Sequence, residues 1–338
     1  MELWDNASAV ARESWRALQH IYGAGVMETP LRRSAELEAE AAGGARVYLK
    51  LDLLQAPGSF KIRGATHALA TLAAQGHRVV YAASTGNHAL SVAHAAGQLR
   101  REDGSLPVRA VLYLPSTVDP GKAERLRRQE GVEVRIAGTD CVETERAARA
   151  AAEDGGRALP VPGTLAFELL MALPELDLVF VPVGGAASSP ASRASSRASS
   201  PGVRVVGCQP AASAVLAASV EAGRLLQDVV SEDTLSGATA GGVEEGSITW
   251  DICRDLVDDW VRVSEREIAA AILDLAKWQG VRVEGAAAVA AAGMLRWGPQ
   301  LRGQSVVVVL SGGNVSDEVL AKAHALAADR RPAPAAAT

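Results

Sequence analysis

A lysine set among small residues, in Gly58-Ser59-Phe60-Lys61-Ile62-Arg63-Gly64-Ala65, stands at the head of a helical stretch. Where desolvation strips its proton, a lysine amine serves as nucleophile or base. Three further segments place polar groups on turns: Ser84-Thr85-Gly86-Asn87-His88, Gly184-Gly185 followed by Ala186-Ala187-Ser188-Ser189, and Ser311-Gly312-Gly313-Asn314. A turn that runs into a helix offers free N–H groups to an anion, and glycine lets the backbone come close. Each element also has a plain structural reading. Lys61 could be a surface lysine, Asn87 the cap of a helix over 88–97, and Ser311 the polar end of a buried strand. Glu284 could be a carboxylate favoured by a helix dipole, and His88 and His94 read as structural.

The surrounding pattern predicts what holds these segments. Short apolar runs at 46–51, 78–83, 109–115, 132–137, 177–183, 203–208 and 305–311 read as buried strands. Helical patterns lie between them, as in "NHALSVAHAAG", "GKAERLRRQEG" and "TDCVETERAARAAAEDGG", several closing at glycine. That alternation argues for an α/β protein with parallel sheets. Ligands of such folds gather at the carboxyl ends of strands, where the turns at 84–88, 184–189 and 311–314 fall.

Composition narrows the function classes. The 338 residues suffice for two domains, and 48% hydrophobic with 22% charged residues is an ordinary globular balance. A net charge of -5 gives no reason to expect nucleic acid or an anionic membrane as partner. No apolar run approaches the roughly 20 residues that span a bilayer. The N-terminal residues lack the pattern of a secretory signal. Cys141, Cys208 and Cys253 are far apart and without metal-ligand spacing, so they read as reduced thiols of a cytoplasmic protein.

Together, "LKLDLLQAPGSFKIRGA", "ASTGNHALSVAHAA", "SGGN" and "VEGAAAVAAAGML" resemble the serine/threonine dehydratases, pyridoxal-phosphate enzymes of the tryptophan-synthase-β fold, from about Thr29 to residue 325. The segment at 241–272 is similar to a branch that includes hydroxyectoine-utilization dehydratases. The resemblance implies two domains, residues 1–53 plus 156–330 and residues 54–155, with the cofactor in the cleft between them and a flexible tail at 331–338. It implies Lys61 as the Schiff-base lysine and base at Cα, with Phe60 beside the cofactor. It gives Asn87 to the pyridine 3′-oxygen, Ser311 to the pyridine nitrogen and Glu284 to the ring's neighbourhood. The turn Ser84-Thr85-Gly86-Asn87-His88 would receive the substrate carboxylate. Gly184, Gly185, Ala186, Ala187 and Ser188 would face the cofactor phosphate. The implied reaction is β-elimination on a hydroxy amino acid such as threonine or serine, giving a 2-oxo acid and ammonia, in a homo-oligomer (dimer or tetramer). Related racemases carry a serine as acid/base where this chain has Thr85, which leaves racemisation open beside dehydration.

The chain departs from the family in places. Relatives have a G-G-G-G-L-x-S-G loop after the strand ending V-P-V; here Gly184-Gly185 is followed by Ala186-Ala187-Ser188-Ser189-Pro190 and a Ser/Arg/Ala string. Deleting one base from G+C-rich codons for V-G-G-G-G-L-V-S-G-I-A yields V-G-G-A-A-S-S-P-A-S-R, which is Val183 to Arg193. That points to a local frameshift over about 186–200, against the rival of a Ser/Ala linker, and it leaves open an inactive remnant. The shift would lie in the gene or in its reading, and DNA without an intact glycine-loop frame over 186–200 would sink the idea. Further departures are the short "RALPVPGT" (157–164), Gly237-Ala238 for an Asp-Gly, and Gln209 for a cation-binding glutamate, so no metal is expected.

Overall fold

The computed structural model describes residues 17–19, 21–41, 43–99, 104–152, 164–184, 202–243 and 248–328. Residues 186–200, where the frameshift is inferred, the domain boundary at 155/156 and the tail at 331–338 lie outside them.

The strands are β1 (Leu31–Arg33), β2 (Arg46–Lys50), β3 (Val79–Ala83), β4 (Arg109–Leu114), β5 (Val132–Ile136), β6 (Leu178–Pro182), β7 (Arg204–Pro210), β8 (Asp259–Val263) and β9 (Ser305–Val309). Every apolar run predicted as a buried strand is a strand, but β5 is a part-exposed edge strand and not buried. β1 and β8 were not foreseen, because "LRR" has no apolar run and "DWVRV" is a half-exposed edge. The chain forms two compact units: residues 17–29 with the described part of Leu54–Ala172, and Pro30–Leu53 with residues 173–184 and 202–328. The sequence reading puts residues 17–29 and 164–172 in the larger domain. In the structure Leu18, Ile21 and Val26 bury in the first unit's core, and Phe167 packs on it.

The first unit is built on the parallel sheet β3-β4-β5. Alternation along its strands gives two apolar faces. Val80, Ala82, Ala110, Leu112 and Leu114 meet the helices α1 (Lys61–Ala74) and α2 (Asn87–Gln98). Val111 and Tyr113 turn to the other side, towards Ala148 of the helix Cys141–Ala151. The third helix of interest here, α3 (Thr164–Ala172), buries Leu165, Ala166, Glu168 and Leu169.

The second unit has the sheet order β1-β2-β9-β6-β7-β8, with only β1 antiparallel. β6 (LVFVP) and β9 (SVVVV) are wholly buried, as central parallel strands covered on both faces must be. One cover is α4 (Gly285–Trp297), whose stretch Ala286–Ala292 is buried. Its small side chains let it lie close to the sheet, where Gly293 faces the Cys208 thiol. Because β2, β6 and β9 run parallel, the chain after β6 and after β9 leaves the same edge of this sheet.

Cys208 and Cys253 are buried free thiols. Burial pushes Cys253 up to about 12 and Cys208 higher still. Thiolate is the reactive form, so iodoacetamide at pH 8 is expected to leave both unlabelled in the native protein and to label both in urea. Peptide mapping reads the result. Among the described residues no helix is long and apolar enough to cross a membrane.

Candidate active site

The expected site residues divide between the two units. Lys61 opens α1, and its N-cap Phe60 supplies no side-chain cap. The approach to it is fixed from behind. Gly58 takes φ +80 and donates to the Gln55 carbonyl at 2.7 Å, a backbone conformation that favours glycine. Gln55 itself is clamped to Met27, accepting from its N–H at 3.2 Å and donating to its carbonyl at 2.7 Å. Lys61 Nζ lies 4.9 Å from the centre of the Phe60 ring. The Ser59 hydroxyl is fully buried and has no hydrogen-bond partner among the described residues.

α2 packs on α1 and starts at Asn87, as the pattern NHALSVAHAAG indicates and one residue before the start that a capping Asn87 would require. Its N-cap is Gly86, which provides no side-chain cap, and Asn87 is the first helical residue. The capping role considered for Asn87 is therefore not the one it has. The Ser84 hydroxyl accepts from the Gly86 N–H at 3.2 Å and holds the turn. A Cβ at Gly86 would meet nothing within 4 Å. The helix start thus opens onto free space, with Thr85 half-buried beside it.

His88, on the first turn of α2, has its pKa lowered from 6.5 to about 4, first by desolvation and then by repulsion from Lys61. The repulsion places the Lys61 side chain within electrostatic reach of this turn. Because the folded value lies below the unfolded one, stability is full above pH 6.5 and is lost as pH falls towards 4. Lys61→Ala removes the smaller cause and leaves desolvation. The His88 titration, followed by NMR, should then move up from about 4 while staying below 6.5. No movement would put Lys61 out of reach of the turn.

In the second unit, Ser311 lies just past β9 and is buried. Its neighbours are strapped in: the Leu310 N–H donates to the Lys50 carbonyl and the Leu53 N–H to that of Leu310. Glu284 is the N-cap of α4 without a side-chain cap bond, and its N–H donates to the Gly312 carbonyl at 3.1 Å. Glu284 is therefore bonded to the residue that follows Ser311. Gly184 follows β6 and backs onto the turn Gly237–Thr239, where a Cβ would stand 2.8 Å from Thr239 Cα. Gly185, Ala186, Ala187 and Ser188 lie outside the described residues.

Sequence reasoning did not find what Gln209 does. It is buried, donates from Nε2 to the Val183 carbonyl at 3.1 Å and accepts at Oε1 from the Ala217 N–H at 2.8 Å. Both ends of the amide are used, so it fixes the strand end that leads into Gly184. The buried Glu168, which pairs with Arg63, was missed too. Its signal was a single acid in the apolar run "LAFELLMA".

Residues 24–312 match the model of the pyridoxal-phosphate dependent enzyme family. The chain belongs to that family. An L-threonine ammonia-lyase of Thermotoga maritima is 34% identical over 315 residues, covering 90% of this chain and 74% of that protein. A serine racemase of Arabidopsis thaliana is 30% identical over 86% of this chain and 88% of its own. Among solved structures, the processed form of threonine deaminase isoform 2 from Solanum lycopersicum superposes with a TM-score of 0.81 at 26% identity, covering 94% of each chain.

The described residues of this pyridoxal-phosphate enzyme fit its cofactor. A phosphorylated aldehyde needs an amine, anion-binding N–H groups and partners for its ring polar atoms. Within the first unit, Lys61, the uncapped start of α2 and the unpartnered Ser59 hydroxyl offer such groups, and within the second the Ser311 hydroxyl is one.

Proposed function

We propose that this enzyme is an ammonia-lyase that eliminates water from L-threonine or L-serine and releases the corresponding 2-oxo acid and ammonia. One observation carries the reading: Lys61 opens α1, which packs on α2, whose start has neither a side-chain cap nor a Cβ over it. When bound, pyridoxal phosphate supplies an electron sink that acidifies the substrate's Cα–H bond. Everything else is asked of the chain. Lys61 would hold the cofactor covalently, with Phe60 beside it, and its free amine would take the Cα proton. The turn Ser84-Thr85-Gly86-Asn87-His88 binds the substrate carboxylate at the amino end of α2, where aligned N–H groups favour an anion. The low pKa of His88 keeps its imidazole neutral near pH 7, so His88 adds no cation to that turn.

Asn87 would hydrogen-bond the ring's 3′-oxygen. Ser311 would offer the ring nitrogen a neutral hydroxyl, which would restrain charge build-up there and suit elimination over amino transfer. Glu284 would lie near the ring. Gly184 would begin the segment that faces the phosphate, with Gly185, Ala186, Ala187 and Ser188 following in sequence. The enzyme works as a cytoplasmic homo-oligomer.

The mass balance is threonine to 2-oxobutanoate plus ammonia, with water lost in elimination and regained in hydrolysis. Production of 2-oxobutanoate from threonine by the cofactor-loaded enzyme, followed with a 2-oxo-acid reductase, is the expected result. No product from threonine or serine, with the cofactor verified as bound by its visible absorbance, overturns the reading.

A further inference from the structure

The buried ion pair of the first unit stands two residues from Lys61. Arg63 and Glu168 have side-chain exposures of 2% and 3%. The pair is bidentate: Arg63 Nη1 donates to Glu168 Oε1, and Nη2 donates to Oε2 at 3.0 Å. The Tyr22 hydroxyl adds a third bond to Oε1 at 2.5 Å. Three separate segments, residues 17–29, α1 and α3, are thereby tied at one carboxylate.

The start of α1 has need of such a tie. Its N-cap Phe60 offers no capping side chain, and the first turn contains no acidic residue. Instead it contains two cations, Lys61 and Arg63, at the end of the helix where the dipole disfavours positive charge. Left to its own propensity this turn frays. Residues two apart on a helix project about 200° from one another. Anchoring Arg63 inward therefore fixes the roll of the first turn and sends Lys61 out on the other side, where it is half-buried.

We infer that Glu168, held by Tyr22 and acting through Arg63, is a positioning residue that holds the first turn of α1 and with it the Lys61 amine for capture of the cofactor. The inference rests on Lys61 being the attachment residue. A network serving stability alone would be replaceable by apolar side chains of similar size. A positioning network would not, because Met cannot supply the directed fork of a guanidinium–carboxylate pair.

The test uses the full-length apo protein as wild type, Tyr22→Phe and the double variant Arg63→Met/Glu168→Met. Deuterium exchange is read at the amides of 62–66, with 109–114 as internal reference. In parallel, pyridoxal phosphate is added, attachment is fixed with borohydride at timed intervals, and peptides are mapped. In the folded double variant, exchange at 62–66 should quicken about tenfold and capture at Lys61 should slow by a similar factor, with 109–114 unchanged. Tyr22→Phe should give about a threefold change of the same sign.

A folded double variant with wild-type exchange and capture overturns the inference and leaves Lys61 as the attachment residue. If the double variant does not fold, Tyr22→Phe decides, and wild-type values there overturn the inference. Attachment of wild type at another lysine overturns the Lys61 reading itself, and the inference with it.

Discussion

Lys61→Ala is expected to lower kcat/KM for threonine by about 10⁴-fold or more, since on the proposed reading one substitution removes both the covalent anchor and the Cα base. The loss should not come from unfolding. Lys61 is the first residue of α1, half-buried and outside the apolar core between that helix and β3-β4. Alanine is also a better helix former than lysine, and the change removes a cation from a helix start. The far-ultraviolet spectrum and the melting temperature should therefore match the wild type, while borohydride no longer fixes the cofactor. The exposed Lys122, in the helix Pro120–Arg127, provides the control: Lys122→Ala should keep full activity. A loss at Lys61 of only about tenfold, measured in the same coupled assay, would mean that another base serves. The reading of the site would then fail.

What the sequence disclosed and what it hid follow from how each feature is encoded. Buried parallel strands are continuous apolar runs, so β6 and β9 stand out on inspection. Edge strands bury one side at most, and "DWVRV" reads as surface. The same contrast runs through the site. Lys61, Asn87 and Ser311 sit in compact local patterns, and the structure places each at a helix start or just past a strand end. The Arg63–Glu168–Tyr22 network joins positions 105 and 146 residues apart, and no local pattern records such a pairing. The comparison of Gln209 with a cation-binding glutamate says nothing of what its amide holds. Its bonds to Val183 and Ala217 show an amide doing what a carboxylate cannot, donating at one end while accepting at the other. Asn87 was read as a possible cap because Asn commonly is one. Gly86 holds that position instead and leaves the helix start uncovered.

Gly285→Ala is expected to cost at least about 3 kcal/mol, the upper end of ordinary overpacking, because the added methyl has nowhere to go. A Cβ at this position would lie 1.9 Å from the Leu235 carbonyl oxygen, 2.4 Å from its carbon and 2.9 Å from the Ser236 nitrogen. All three are backbone atoms, and that backbone is tied down. Glu265 accepts from the Leu235 N–H at 2.7 Å and from the Thr234 hydroxyl at 2.6 Å, while the Ser236 N–H donates to Thr234 Oγ1 at 3.0 Å. Nor can α4 retreat, since Ala286–Ala292 are buried behind it against the sheet. The gain in helix propensity from replacing glycine is about 1 kcal/mol at best and does not offset the clash. The melting temperature should fall by roughly 4 °C or more for a protein of this size. Gly242→Ala, where a Cβ would meet nothing within 4 Å, should change stability by less than about 0.5 kcal/mol. The damage at Gly285 should also reach the site. Glu284 immediately precedes it and donates to Gly312, next to Ser311, while the displaced segment continues into the Gly237–Thr239 turn that backs Gly184. Cofactor affinity, measured by absorbance titration below the melting transition, should therefore weaken together with stability. A variant that melts early yet binds pyridoxal phosphate as tightly as wild type would show that the contact of Gly285 with Leu235 serves packing alone.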